Sequence, residues 1–166
     1  MFELTLVRHG NALAASNGTL GDAGRVLSPK GRAMVRQGAR ALTERGVRFD
    51  CAWSSPLPRA VQTAELLLAG IGDEVVLEVY EDLTPEGSAG EVLARLAELP
   101  EESHLLIVSH EPLAGRLASV LKGEPGMGLH TAEIRHFHLA SAEPSGGKLV
   151  WRWLTSGLGQ ESQGGR

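Results

Sequence analysis

Short apolar runs alternate along the chain with longer stretches in which apolar residues recur every three or four positions. Leu4 to Val7 reads as a strand that stops at Arg8-His9-Gly10. A polar stretch of small residues follows, Asn11 to Leu27, longer than most connections and of the kind that often carries function. Ser28-Pro29 predicts a helix start, with serine as the N-cap and proline at the first helical position. Val35, Ala39 and Leu42 keep helical spacing, and Gly46 reads as the C-terminal cap. Phe49 to Trp53 predicts a second strand and Pro58 to Leu68 a second helix. Val75 to Tyr80 is a β-branched strand run. Ser88-Ala89-Gly90-Glu91 has the form of a capping box before a helix that ends by Pro100. Leu105 to Val108 is continuously apolar, as expected of a strand covered on both faces. Pro112 suits the first turn of a further helix through about Leu121. Ala132 to Ala140 and Lys148 to Leu154 predict two final strands, paired as a hairpin through the turn at Pro144-Ser145-Gly146-Gly147.

Strands alternating with helices predict a three-layer α/β/α sandwich on a mostly parallel sheet. One domain over 1–155 and a flexible polar tail over 156–166 are expected. The 166 residues suffice for a single sizeable core. With 42% hydrophobic and 22% charged residues, the composition excludes a disordered or collagen-like chain. A formal net charge of −4 gives no global basic field, so nucleic acid is not an expected partner. No apolar run approaches the ~20 residues of a bilayer span, and Phe2 to Val7 lacks the form of a signal peptide. The lone Cys51 cannot form an internal disulfide. A cytoplasmic monomer is expected.

Ligands of open α/β sheets bind beyond the carboxyl ends of the strands. The residues in those places are Arg8 and His9, then Ser54, Ser55 and Arg59, then Glu81, Asp82 and Glu86, then Ser109 and His110. Arginine offers a rigid fork of donors that matches phosphate oxygens. Histidine near neutral pH serves as nucleophile or acid/base. Two arginines and two histidines at one sheet edge therefore point to phosphoryl transfer through a phosphohistidine. His9 would attack phosphorus, and Arg8, Arg59 and His110 would stabilise its equatorial oxygens. Such a scheme needs no metal and no cofactor.

Arg8-His9-Gly10 after an N-terminal strand resembles the signature of the histidine phosphatase (phosphoglycerate mutase-like) superfamily. Ser54-Ser55-Pro56-Leu57-Pro58-Arg59-Ala60-Val61-Gln62-Thr63-Ala64 is similar to that family's S-P-x-x-R-A-x-Q-T-A stretch. Val108-Ser109-His110 resembles its second histidine motif, and Leu27-Ser28-Pro29-Lys30-Gly31 its L-[ST]-x-x-G helix opening. The resemblance implies His9 as the phosphorylated nucleophile and Arg8, Arg59 and His110 as the phosphate pocket. Small size and Leu83-Thr84-Pro85 resemble the SixA-type phosphohistidine phosphatases. The interval from Glu81 to His104 holds only a loop and a helix, with no room for the helical lid of many relatives. A shallow, open site follows, fit for a phosphorylated side chain on another protein.

Esterase members carry a glutamate general acid in an L-x-E context, where this chain has Pro85. Glu86 is adjacent and is the candidate acid, ahead of Asp82. Phosphohistidine makes less demand on an acid, because a ring protonated near ~6.5 leaves as neutral imidazole. The expected activity is dephosphorylation of phosphohistidine on a signalling protein such as a histidine phosphotransfer domain. A small phosphate ester as substrate and a non-catalytic phosphate-binding module are the alternatives. Asn11 is a candidate phosphate contact, against a plain turn residue.

Other features have simpler readings. Arg32, Arg36 and Arg40 form a basic helix stripe, read as a solvated face before a docking surface. His136 and His138 alternate on one strand with His130 nearby. No carboxylate is assigned beside them, so a strand surface is expected rather than a metal. Cys51 reads as a core thiol, and Trp151 and Trp153 as covers for the sheet.

Overall fold

The computed structural model describes residues 1–15 and 20–155, so the predicted tail from 156 lies outside the described residues. Among these residues, six strands form one sheet: β1 (Phe2–Arg8), β2 (Cys51–Ser54), β3 (Leu77–Val79), β4 (His104–Ser109), β5 (Ile134–Leu139) and β6 (Gly147–Trp153). Their order is β3-β2-β4-β1-β5-β6. The first four in space run parallel; β5 is antiparallel to β1 and to β6. Among the described residues, four α-helices cover the sheet: α1 (Pro29–Glu44), α2 (Pro58–Ile71), α3 (Ala89–Leu96) and α4 (Leu113–Lys122). The expected three-layer α/β sandwich and terminal hairpin are both present.

The apolar run in β4 shows why the sheet is buried on two sides. Leu106 and Val108 join a core with residues of α1 and α2. Leu105 and Ile107 join a second core with residues of α3 and α4. Successive side chains of a strand point to opposite faces, so an unbroken apolar run is what a double-sided core requires. Trp151 and Trp153 pack against the first core, as expected.

Ser28 caps α1 through a 2.9 Å bond from the Gly31 amide to its hydroxyl, and Gly46 follows the helix at φ 68°. The predicted capping box at Ser88 does not form: Ser88 is the N-cap of α3 but makes no side-chain cap hydrogen bond. Its side chain is exposed, where water competes for such a bond. β3 is shorter than its sequence pattern, because it is an edge strand that pairs only with β2 over Leu77–Val79. No helix among the described residues is long and apolar enough to cross a membrane.

Candidate active site

β1, β2 and β4 run parallel, so their carboxyl ends meet on one edge. The amide of His9 donates to Ser109 O at 3.1 Å, and the amide of Ser55 donates to Val108 O at 3.1 Å. These two bonds clamp the segments after three strands together. They bring the His9 and His110 rings to a centroid distance of 4.9 Å. Arg8, His9, Arg59 and His110 line one cavity of about 320 Å³. Asn11, Pro85 and Glu86 line it too, so every predicted site residue is brought to one place.

His9 is 8% exposed. Its Nδ1 lies 2.7 Å from Gly10 O. A carbonyl only accepts, so Nδ1 carries the proton and Nε2 keeps its lone pair. Burial, outweighing that hydrogen bond and reinforced by the charges of Arg59, Arg8 and Arg25, lowers the His9 pKa to about 4. The ring is therefore a neutral imidazole at pH 7, the form that has a nucleophilic nitrogen. Gly10 has a steric duty in this arrangement. A Cβ there would lie 2.8 Å from Val35 Cγ2 and 3.1 Å from Gly31 O. Its amide is held by Thr63 Oγ1 at 3.1 Å, and Thr63 in turn donates to Arg59 O at 2.7 Å.

His110 is 1% exposed. Its Nε2 is 2.8 Å from Ser55 Oγ. That hydroxyl accepts from the Leu57 amide at 3.2 Å and so is set to donate to Nε2. The imidazole proton then sits on Nδ1, which is buried without a protein partner. Burial first, and then the neighbouring His9 and Arg59, lower the His110 pKa to about 3. The Nε groups of Arg8 and Arg59 are likewise buried and unpartnered. Unmet buried donors are costly, and three of them around one cavity favour a multiply charged oxyanion.

The arginines are held differently. Arg8 donates through Nη1 to Leu129 O at 2.8 Å. Arg59, 3% exposed, grips Asp22 with bonds of 2.9 Å to its carbonyl and 3.2 Å to its carboxylate. Asp22 sits in a 3-10 turn, Gly21–Gly24. It also accepts from Arg25 at 3.1 Å, and Arg25 lines the same cavity. The Arg25 hydrogen bond, with the charge of Arg59, holds the Asp22 carboxyl below its ordinary pKa. Asp22 and Arg25 were not singled out from the sequence. They lie in a loop without periodicity, where only the tertiary fold shows what a residue touches. Ser55 stood among the strand-end residues and Thr63 within the family-like stretch, but their supporting roles, and the place of Glu111, which lines the cavity and accepts from the Leu129 amide at 3.0 Å, show only in the tertiary fold. The expected open site is thus partly walled, by the first loop rather than by a helical insertion after β3.

The carboxylates differ in freedom. Asp82 is tied to Arg95 at 2.6 Å, which takes it out of the cavity's chemistry. Glu86 is exposed at the cavity wall. Asn11 is committed to the fold as well as to the cavity: its Oδ1 and backbone carbonyl both accept from Ser28, at 2.7 and 2.9 Å. Elsewhere the expected strand surface at His136 is overturned. His136 is 4% exposed and meets Glu3 and His104 across the sheet, because β1 and β4 bring their first residues alongside β5.

The histidine phosphatase superfamily (branch 1) profile matches residues 4–84. The chain is 35% identical to the phosphohistidine phosphatase SixA of Escherichia coli over 127 residues, 72% of this chain and 73% of that protein. It is 40% identical over 73 residues to the 2,3-bisphosphoglycerate-dependent phosphoglycerate mutase of Thermobifida fusca, over 43% of this chain and 30% of that one. Among solved structures, the protein histidine phosphatase SixA complexed with tungstate superposes with a TM-score of 0.82 at 29% identity, covering 90% of this chain and 95% of that one. The putative SixA of Agrobacterium tumefaciens shares the fold, with a TM-score of 0.80 at 20% identity, over 92% and 97% of the two chains. Strand-end arginines and histidines, sheet order and sequence identity converge: the chain belongs to branch 1 of the histidine phosphatase superfamily, is SixA-like, and is a phosphatase that works through a histidine nucleophile.

Proposed function

We propose that this protein dephosphorylates phosphohistidine on a protein partner, with His9 as the nucleophile. The observation that carries the proposal is the 2.7 Å contact of His9 Nδ1 with Gly10 O, which leaves Nε2 as the reactive nitrogen beside two arginines. The Nε2 lone pair attacks phosphorus and forms a P–N bond. The substrate's own P–N bond breaks, and its electron pair departs with the leaving imidazole, whose other nitrogen carries the proton. Arg8, Arg59 and the Nδ1–H of His110 stabilise the charge on the three equatorial oxygens, the main source of rate in such transfers. Water then attacks the phosphorus of phospho-His9. Inorganic phosphate leaves, and the electron pair of the P–N bond returns to Nε2. No step requires a metal or cofactor.

The choice of a phosphoramidate over an ester rests on the acid. An alkoxide needs a proton in the transition state. Glu86 lines the cavity wall and is exposed, while Asp82 is committed to Arg95. Imidazole leaves neutral near its own pKa of ~6.5 and needs no such group. Only a 3-10 turn (Glu81–Leu83) and α3 lie between β3 and β4, which leaves space for a side chain presented by another protein. Such a partner places the activity in the cytoplasm, and the chain acts as a monomer in this reading.

The test is a paired rate assay in EDTA, with a phosphorylated histidine phosphotransfer domain and a panel of small phosphate esters. Faster turnover of the phosphohistidine by at least ~100-fold, unaffected by Glu86→Gln, is the expected result. Fast ester turnover that collapses in Glu86→Gln would instead establish a small-molecule phosphomonoesterase. Phosphate binding without turnover of either would establish a binding module.

A further inference from the structure

At the opposite end of the sheet, three strands bring a second group of histidines together. We propose that Glu3, His104 and His136 form a site for a divalent transition-metal ion of the zinc type, ligated by the Glu3 carboxylate, His104 Nδ1 and His136 Nε2. One ligand atom from each residue lies within 4.8 Å of the others. His104 Nδ1 is 3.3 Å and His136 Nε2 is 3.6 Å from Glu3 Oε2. Tetrahedral coordination at ~2.0–2.1 Å sets neighbouring ligand atoms ~3.3–3.4 Å apart, so both histidine nitrogens already stand near coordinating separation from the Glu3 carboxylate.

The far sides of both rings support this reading. Thr5 Oγ1, fully buried, is 3.0 Å from His104 Nε2 and 3.1 Å from His136 Nδ1. One hydroxyl oxygen can accept from two N–H groups. When both rings carry their protons toward Thr5, both opposite nitrogens face Glu3 with lone pairs. An oxygen holding the outer N–H of a metal-bound histidine is a recurrent feature of metal sites. Glu3 and His138 are each 44% exposed in their side chains and give the ion an entry from solvent. His138 Nε2 lies 3.7 Å from Glu3 Oε1, on the outer side of the same carboxylate.

The pairing register explains the convergence. Glu3 lies opposite His104 on β4 and opposite His138 on β5, and Thr5 lies opposite His136. A metal there would tie β1, β4 and β5. Six extended residue steps lead from Glu3 to His9, about 20 Å at ~3.3 Å per step. The ion would therefore stabilise the fold without entering the phosphoryl chemistry.

The experiment is calorimetric titration of zinc chloride into tag-free, EDTA-stripped full-length protein, with melting curves alongside. One zinc per chain, with a Kd below ~10 μM and a raised Tm, is expected. Glu3→Gln, half-exposed and tolerant of change, should weaken binding at least ~10-fold, and Thr5→Val should do so by ~10-fold or more. His9→Ala should bind zinc like the wild type, which excludes the active-site histidines as the ligands. No saturable binding at ~100 μM zinc, or wild-type affinity in Glu3→Gln, would overturn the proposal.

Discussion

A guanidinium already gripping a carboxylate meets an incoming phosphate as a competitor. Arg59 holds the Asp22 carboxylate at 3.2 Å, so Asp22 occupies part of the fork that a phosphoryl group would use. Asp22 is 65% exposed in its side chain, which limits the pair's strength. Asp22→Asn removes the charge and keeps an amide of the same shape. It should tighten phosphate or vanadate inhibition by about two- to fivefold, the scale of an exposed ion pair. An unchanged or weaker inhibition constant would show that Asp22 orients Arg59 instead of competing at it. At this scale the sequence was informative where a residue's place follows from strand ends. Arg8, His9, Arg59 and His110 were all legible that way. Asp22 and Arg25 were not, since they sit in a loop without periodicity, and Ser55 and Thr63 were visible as residues but not as supports, since each acts through a neighbour distant in sequence.

Among the elements, the entry to α1 does most to shape the site. Its glycine at 31 lets the helix start touch the segment after β1: a Cβ there would lie 1.9 Å from Asn11 O. No side chain can move to relieve that clash, because the obstacle is backbone. Gly31→Ala should cost ~2–3 kcal/mol or more in urea unfolding and should also lower activity, since Asn11 lines the cavity. Ser28→Ala should cost about 1 kcal/mol as a lost N-cap. An equal, small loss in both variants would contradict the packing argument. The Ser-Pro start and the Gly46 end of α1 were readable from local chemistry alone. The capping box at Ser88 was misread from the same kind of signal, because exposed side chains lose such bonds to water. The edge strand β3 was overextended, since β-branched composition says nothing about how long a partner strand lasts.

For the whole molecule, the alternation of strands and helices announced the layers and the sheet's mainly parallel sense. It could not announce strand order. β4 lies between β2 and β1, and that adjacency alone brings His110 beside His9. It also explains the buried His136 at the far end, which looked like strand surface from sequence. The collective titration of the histidines gives a stability prediction. His9 and His136 have folded pKa values of about 4 and His110 of about 3, with His104 also lowered, all chiefly by burial. Unfolded histidine titrates near ~6.5. Between those limits the unfolded chain binds more protons than the folded one, so stability rises with pH. The contribution is complete above ~6.5 and is lost as pH falls toward the folded values. Melting in EDTA should therefore give a clearly lower Tm at pH 5 than at pH 7.5, whereas a flat profile would contradict neutral burial of these rings. The central claim is the phosphorylated His9, and rapid quenching during turnover of a radiolabelled phosphohistidine protein tests it most directly. The account predicts an acid-labile, alkali-stable label on the enzyme, absent from His9→Ala. Full turnover with no transient label, or a label that persists in His9→Ala, would contradict it.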